Sequence, residues 1–281
     1  MERQELYRLI SLPPEMIERL QEVEAATDLE GIEDTLRQMM DAKTAAAAYK
    51  SLESRLGEDE GHMAMLYCQL ECARRIYGQY KEKGISQAVY VDTMKCFSRF
   101  IGECNKKNGW MFFDRGWWTY RQVSMSLFRI GTLEFELDKS GKEKAVAVHI
   151  PSDADLSERA VDSSLEQAGS FFRRYYPDYQ YDKYICDSWL LSPVLQELLP
   201  RQSNIVRFQE RFVITGRNEE EKEYIEWLFQ VPVNTAYRKL PESTALQRKA
   251  KELLLAGGNI GTAYGFMEAS GSIGSGSQRK E

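Results

Sequence analysis

Apolar positions in the first part of the chain recur at helical spacing. In "SLPPEMIERLQEVEAAT", Met16, Ile17, Leu20 and Val23 follow Ser11 and a proline pair. Proline suits a first helical turn because it lacks an N–H that the turn would leave unpaired. "DLEGIEDTLRQMMDAKTAAAAYKSLESRLG" continues the pattern with Leu29, Ile32, Leu36 and Met39 on one face and Gly57 as the stop. "HMAMLYCQLECARRIYGQYKEKG" and "SQAVYVDTMKCFSRFIGECNKKNG" predict two further amphipathic helices, each closed by basic residues and glycine. Short connections favour antiparallel neighbours, so this part reads as a helical bundle.

The period changes near Trp110. "GWMFFDRGWWTYRQVS" is dense in aromatic residues, and the domain junction is placed there. Packing between domains is the plainer reading of Trp110, Trp117, Trp118 and Tyr120, and a ligand cage is the other. Leu133, Phe135 and Leu137 then alternate with Glu134 and Glu136, the two-residue period of a half-buried strand. "DKSGKEK" predicts a turn and "AVAVHIP" a more buried strand, which together make an antiparallel hairpin. Between Pro151 and Pro177 a capped helix sets Leu156, Ala160, Leu165, Ala168 and Phe172 against the sheet. "YDKYICDSW" predicts a strand, "LSPVLQELLP" a helix, and "SNIVRFQERFVITG" a short capped helical turn followed by a strand. "NEEEKEYIEWLF" predicts a helix capped by Asn218 with glutamates in its first turn. "PESTALQRKAKELLLAGG" is the last expected helix, and "ASGSIGSGSQRKE" reads as a flexible tail. A hairpin feeding a crossover helix and a further strand implies a mixed sheet. The expected fold class is α+β: a helical domain over 1–122, a mixed α/β domain over 123–268 and a tail over 269–281.

Composition narrows the function classes. The 281 residues carry a net charge of −6, whereas a nucleic-acid binder presents a basic face, so nucleic acid is set aside as a partner. Five cysteines (Cys68, Cys72, Cys96, Cys104, Cys186) form no CxxC pair. His62 and His149 are too few and too far apart for a zinc set, so no metal is expected. Reduced thiols fit the cytosol. The start "MERQELYRLI" is charged, and no stretch approaches the ~18 apolar residues that a membrane span requires. The expectation is a cytoplasmic protein with no membrane partner.

Chemistry-bearing residues gather where "YICDSWLLSPVLQELLP" passes from strand to helix. Asp187 could serve as a base or hold an ammonium group, and Ser188 could protonate or orient a leaving group; both could equally cap the helix that follows. His149, near the end of a buried strand, could accept a proton from an attacking amine or be a structural histidine bonded to a carbonyl. Cys186 is either a covalent acyl carrier with His149 as its base or, more simply, a small buried strand residue. Trp189 either walls a slot or fills the core.

The hairpin, "AVAVHIPSDADLS", the crossover helix and "YICDSWLLSPVLQELLPRQSNIVRFQERF" resemble a bacterial group of predicted acyltransferases. These join a helical N-terminal domain to a domain like the GCN5-related N-acetyltransferases (GNAT), and the resemblance covers all but the tail. It implies that the fourth GNAT strand (Ala145 to Ile150) and the fifth (Tyr184 to Ser188) splay apart. The pantetheine arm of acyl-CoA or acetyl-CoA would enter that V, with the pyrophosphate on helix-start amides. Val148, Ile150, Ser152, Ala154, Leu156 and Ser157 would then bind the co-substrate, and His149, Asp187 and Ser188 would be catalytic. The implied reaction is acyl transfer from a thioester to a small-molecule acceptor of the amine type. The family's glycine-rich phosphate loop is replaced here by "PSDADLSER", whose Asp153, Asp155 and Glu158 repel a pyrophosphate unless they turn away as caps. Arg159, or Arg173 with Arg174, offers another hold on CoA. The departure keeps a second reading open, a non-catalytic GNAT-like module that binds a small molecule or a partner. A hydrolase using Cys186 and His149 is a third.

Overall fold

Ser11, at a φ of 56°, turns the chain from α1 (Arg3–Leu9) into α2 (Pro14–Ala26), which opens on its proline. The long helical pattern that follows is broken in two. α3 (Glu33–Met39) and α4 (Ala45–Leu56) are separated where Asp41 accepts the Lys43 N–H and the Thr44 hydroxyl donates to the Gln38 carbonyl. Short polar side chains there offer the backbone partners outside the helix. Gly57, at a φ of 59°, ends α4. α5 (Met63–Glu82) starts on Asp59, whose carboxylate takes the Ala64 and Met65 N–H groups at 2.8 and 2.9 Å. The next predicted helix is also two: α6 (Gln87–Met94), capped by Ser86, and α7 (Cys96–Asn108), closed by left-handed Gly109. α8 (Gly116–Val123) and the short strand β1 (Leu127–Ile130) follow.

The structure, a computed structural model, describes residues 1–137 and 144–269. The chain divides into two units, one of Met1–Ile130 with Lys222–Gly258, the other of Gly131–Glu221 with the chain from Asn259. In the helical unit α5 is central and packs on α2, α3, α4 and α8. Leu66, Leu70 and Ile76 fill its core. Gln69, fully buried, donates to the Gly116 carbonyl at 2.9 Å and accepts from the Thr119 hydroxyl, which ties α8 to α5.

The second unit contains β2 (Leu133–Leu137), β3 (Ala145–His149), α9 (Glu158–Tyr175), β4 (Lys183–Ser188), α10 (Leu195–Leu198), α11 (Asn204–Gln209) and β5 (Val213–Asn218). The chain then adds α12 (Tyr224–Phe229) and α13 (Ala245–Leu255) to the helical unit and returns with β6 (Thr262–Glu268). Within the second unit the strands lie in the order β2-β3-β4-β6-β5. β3 and β4 are parallel; the β2–β3, β4–β6 and β5–β6 pairs are antiparallel. This is the expected mixed sheet, and the helical region followed by it gives the expected α+β class. α9 lays Val161, Ser164, Ala168 and Phe172 on the sheet, and Phe172 meets Phe135 edge-on.

Several local expectations are corrected. Asn218 is not a helix cap: it ends β5, its side chain accepts the Glu220 N–H in a turn, and α12 begins only at Tyr224. "LSPVLQELLP" forms a four-residue helix after a 3-10 turn at Trp189–Leu191. Glu134, expected on a wet face by alternation, is only 2% exposed. β1 and β6 were not foreseen. The turn expected in "DKSGKEK" falls mostly on Asp138–Glu143, and the tail begins at 269; both lie, but for Lys144 and Ala269, outside the described residues.

Candidate functional site

The parallel β3–β4 ladder pairs Ala145 with Lys183, Val146 with Tyr184 and Ala147 with Ile185. Val148 and His149 lie beyond its end on β3, and Cys186, Asp187 and Ser188 beyond it on β4. Past Ala147, β3 remains paired only on its β2 side, where His149 faces Glu134, while β4 continues paired to β6 as far as Ser188 and Ala263. The two strands therefore part at their carboxyl ends, where the chain runs from β3 towards α9.

Strand alternation sorts the candidate residues onto two faces. His149 and Asp187 project from the face that carries Glu136, Ala147 and Ile185. Cys186 and Ser188 project from the opposite face with Val148 and Tyr184, the face covered by α9. His149 and Cys186 thus cannot meet as a nucleophile and its base. Cys186 is buried, and burial pushes its thiol well above the ordinary range, away from the thiolate that a nucleophile needs.

His149 meets Glu136 across the hairpin, Nε2 to Oε2 at 2.9 Å. An ionised carboxylate only accepts, so Nε2 is the protonated nitrogen and base chemistry at this ring belongs to Nδ1. Asp187 stands opposite Tyr264 of β6, and its carboxyl is raised by partial burial and by the charge of Glu221. Ser188 accepts the Leu190 N–H at 3.1 Å and so caps the short turn after β4, while its own O–H remains a donor. Trp189 is half-buried at the start of that turn.

The loop between β3 and α9 follows directly. Val148 is buried, Ile150, Ala154, Leu156 and Ser157 are half-buried, and Ser152 is exposed. The Ala154 N–H donates to the Pro151 carbonyl at 3.0 Å, which closes a tight turn without glycine. Ser157 caps α9 through the Ala160 N–H, and Asp155 accepts both the N–H and the hydroxyl of Ser157, at 2.8 and 3.0 Å. Asp155 thus occupies a donor that a phosphate at this helix start would use. Glu158 pairs with Arg207 of α11 at 2.8 Å and Asp162 pairs with Arg211, which follows α11, so two guanidinium groups lie along the first turns of α9. Arg173 and Arg174 sit roughly 22 Å further along α9 at 1.5 Å per residue, too far to reach its start. Glu136, Arg207 and Arg211 had not been singled out from the sequence. The hairpin register was the signal for Glu136, since it fixes which glutamate shares a face with His149. Among the described residues no group of three metal-ligating side chains could hold an ion, and no helix is long and apolar enough to cross a membrane.

Comparison with known proteins places this geometry. Residues 1–125 match an N-acyltransferase N-terminal domain and residues 127–267 a GNAT-like C-terminal domain. None of the curated proteins matches the chain. Among solved structures it is similar to an acyltransferase in complex with decanoyl-CoA and teicoplanin, at 24% identity and a TM-score of 0.80, over 95% of this chain and 88% of the other. An acyltransferase variant in complex with octanoyl-CoA gives 23% identity and a TM-score of 0.80 over 95% and 87%. An acyltransferase with CoA and 10C-teicoplanin gives 21% and 0.69 over 96% and 100%. A helical half followed by a sheet whose parallel strands part at their carboxyl ends, matched over both halves, assigns the chain to the family that joins an N-acyltransferase N-terminal domain to a GNAT-like C-terminal domain.

Proposed function

We propose that this protein transfers an acyl group from an acyl-CoA thioester to a small-molecule acceptor carrying an amine. The parting of β3 and β4 beyond Ala147 and Ile185 carries the reading, because it leaves a strand edge along which a pantetheine arm can pair. Acyl-CoA complexes of the similar structures support that choice of donor. The acceptor nitrogen attacks the thioester carbonyl carbon, the C–N bond forms, and the C–S bond breaks to release CoA thiolate. His149 takes the amine proton through Nδ1, with Glu136 holding the ring by its bond to Nε2. Asp187, on the same face and with a raised carboxyl, is the second base or the anchor for the acceptor's ammonium group. Ser188 projects from the opposite face, so its O–H hydrogen-bonds the departing thiolate where the pantetheine arm passes between the parted strands, and it gives up no proton. Val148 and Ile150 flank the pantetheine, while Ser152, Ala154, Leu156 and Ser157 line the path of the pyrophosphate, with Arg207 and Arg211, paired to the first turns of α9, as candidate cations beside it.

The test is turnover of octanoyl-CoA and decanoyl-CoA with a panel of primary amines, read as thiol release. Loss of a hundredfold or more in His149→Ala, and a comparable loss in Asp187→Ala, is expected. Unchanged turnover in both variants refutes these assignments. The hold of Asp155 on the α9 start favours a second reading, a non-catalytic module that binds a thioester or another small acid. It predicts acyl-CoA binding with no thiol release for any acceptor.

A further inference from the structure

The helical unit contains a cavity of about 270 Å³ that acyl transfer as described above does not use. Three stretches build it. Tyr49, Glu53 and Leu56 stand four and three residues apart and so share one face of α4. The connection into α5 contributes Asp59 and His62, and the aromatic segment leading into α8 contributes Phe113 and Trp117. Gln69 fixes the α8 wall to α5, and Gly116 lets the two approach: a Cβ there would lie 2.9 Å from Met65 Cγ and 3.3 Å from the Tyr49 ring. The cavity is therefore held open by a packed frame.

Its chemistry is one-sided. Three carboxylates reach the lining, and neither lysine nor arginine does. Asp114 is neutralised from outside the cavity by Lys107 and Arg115, at 3.2 and 2.9 Å. Asp59 accepts two backbone N–H groups, and Glu53, on the exposed side of the cavity, accepts the Tyr49 hydroxyl, so none of these bonds comes from a basic side chain. Around them stand Phe113, fully buried, and Trp117, 47% exposed at the wall. Uncompensated carboxylates beside aromatic faces are the surroundings that attract an organic cation, by charge and by the ring quadrupole. The volume sits just below the usual range of small-molecule pockets, which limits the body of the ligand to about one ring and a short chain. His62 adds a residue with a positive φ of 53°, a conformation that surrounding structure must enforce and that gathers at binding sites.

We propose that this cavity binds a small organic ammonium ion, with Glu53 as its principal charge partner and Trp117 as its aromatic wall. The site needs no acyl transfer and is tested without it. Calorimetric titration of the full chain with 2-phenylethylammonium, the neutral isostere 2-phenylethanol and the anionic 3-phenylpropionate separates charge from shape. The expected result is saturable binding of the ammonium, at least tenfold weaker or absent binding of the other two, and an ammonium-dependent change in tryptophan emission. Glu53→Gln should weaken the ammonium at least tenfold, and Trp117→Phe should remove most of the emission change. Absence of ammonium binding up to millimolar concentration overturns the proposal, as does alcohol or acid binding within twofold of the ammonium. An unchanged affinity in a folded Glu53→Gln also overturns it. The isostere comparison uses the unaltered protein and decides the matter even where a variant fails to fold.

Discussion

Glu71→Gln should destabilise the helical unit by about 3 kcal/mol at neutral pH, and most of that loss should disappear in acid. The side chain of Glu71 is 2% exposed and receives Arg74 at 2.6 Å, Arg75 at 2.7 Å and Arg3 at 3.5 Å. Burial raises the carboxyl, but the hydrogen bonds and charges of Arg74 and Arg75 overcome it and lower the carboxyl from 4.5 to about 2. At about 1.36 kcal/mol per tenfold in proton affinity, that depression is worth about 3 kcal/mol. A depressed carboxyl supplies its stability above the unfolded value near 4.5 and loses it as pH falls towards about 2, so somewhat less than half of it remains at pH 3. The glutamine variant lacks this dependence and leaves three guanidinium groups without their shared anion. Their partial exposure, 26–33%, lets water relieve part of that cost. Urea unfolding followed by circular dichroism, for both proteins at pH 7 and pH 3, measures the gap directly. A gap of about 3 kcal/mol that roughly halves at pH 3 is expected. A gap below about 1 kcal/mol at pH 7, or one that does not shrink in acid, refutes the reasoning.

Other outcomes follow from the second unit. Gly261→Ala places a Cβ 2.5 Å from the Asn218 carbonyl oxygen at a φ of +68°, and should cost about 1–3 kcal/mol in chemical unfolding through strain where β5 meets β6. Once turnover is established, Glu136→Gln should lower kcat/KM about tenfold or more, because His149 loses the carboxylate that holds its ring; unchanged turnover would remove Glu136 from the mechanism. Glu221→Gln should lower the raised Asp187 carboxyl and carry the acid limb of the profile to lower pH, whereas a limb that stays in place would show that Asp187 does not set it.

The elements that the sequence made legible are those whose pattern is long or chemically punctuated. α2, α5 and α9 show helical periodicity over many turns, with proline, glycine or serine at their ends. The β2–β3 hairpin shows alternation on both arms. β6 was lost because Gly265 interrupts "TAYGFME" and resembles a turn residue. It lies instead at a close approach, where a Cβ would meet the Val213 carbonyl at 2.9 Å. The glutamates before α12 suit a first helical turn locally, yet the carbonyls of Glu219 and Glu221 bind the Asn259 side chain and hold that stretch out of the helix. At the candidate site, His149, Asp187 and Ser188 stood out by residue type, but the faces that separate them follow from register. Glu136 was hidden because a charged residue in an alternating strand reads as solvent-facing. The aromatic stretch after Trp110 read first as packing. In the structure Phe113 does pack, Trp117 walls a cavity, and the carboxylates that give the cavity its chemistry come from α4 and the start of α5, some fifty residues earlier in the chain.

Calorimetric titration of the full chain with CoA, acetyl-CoA, octanoyl-CoA and decanoyl-CoA tests the proposed function most directly. The parted β3 and β4 strands predict micromolar binding of one acyl-CoA, weakened at least tenfold when Val148→Pro removes a backbone donor from the β3 edge in a protein that remains folded. No heat with any of the four would contradict acyl-CoA as the donor and leave the parted strands without their assigned ligand.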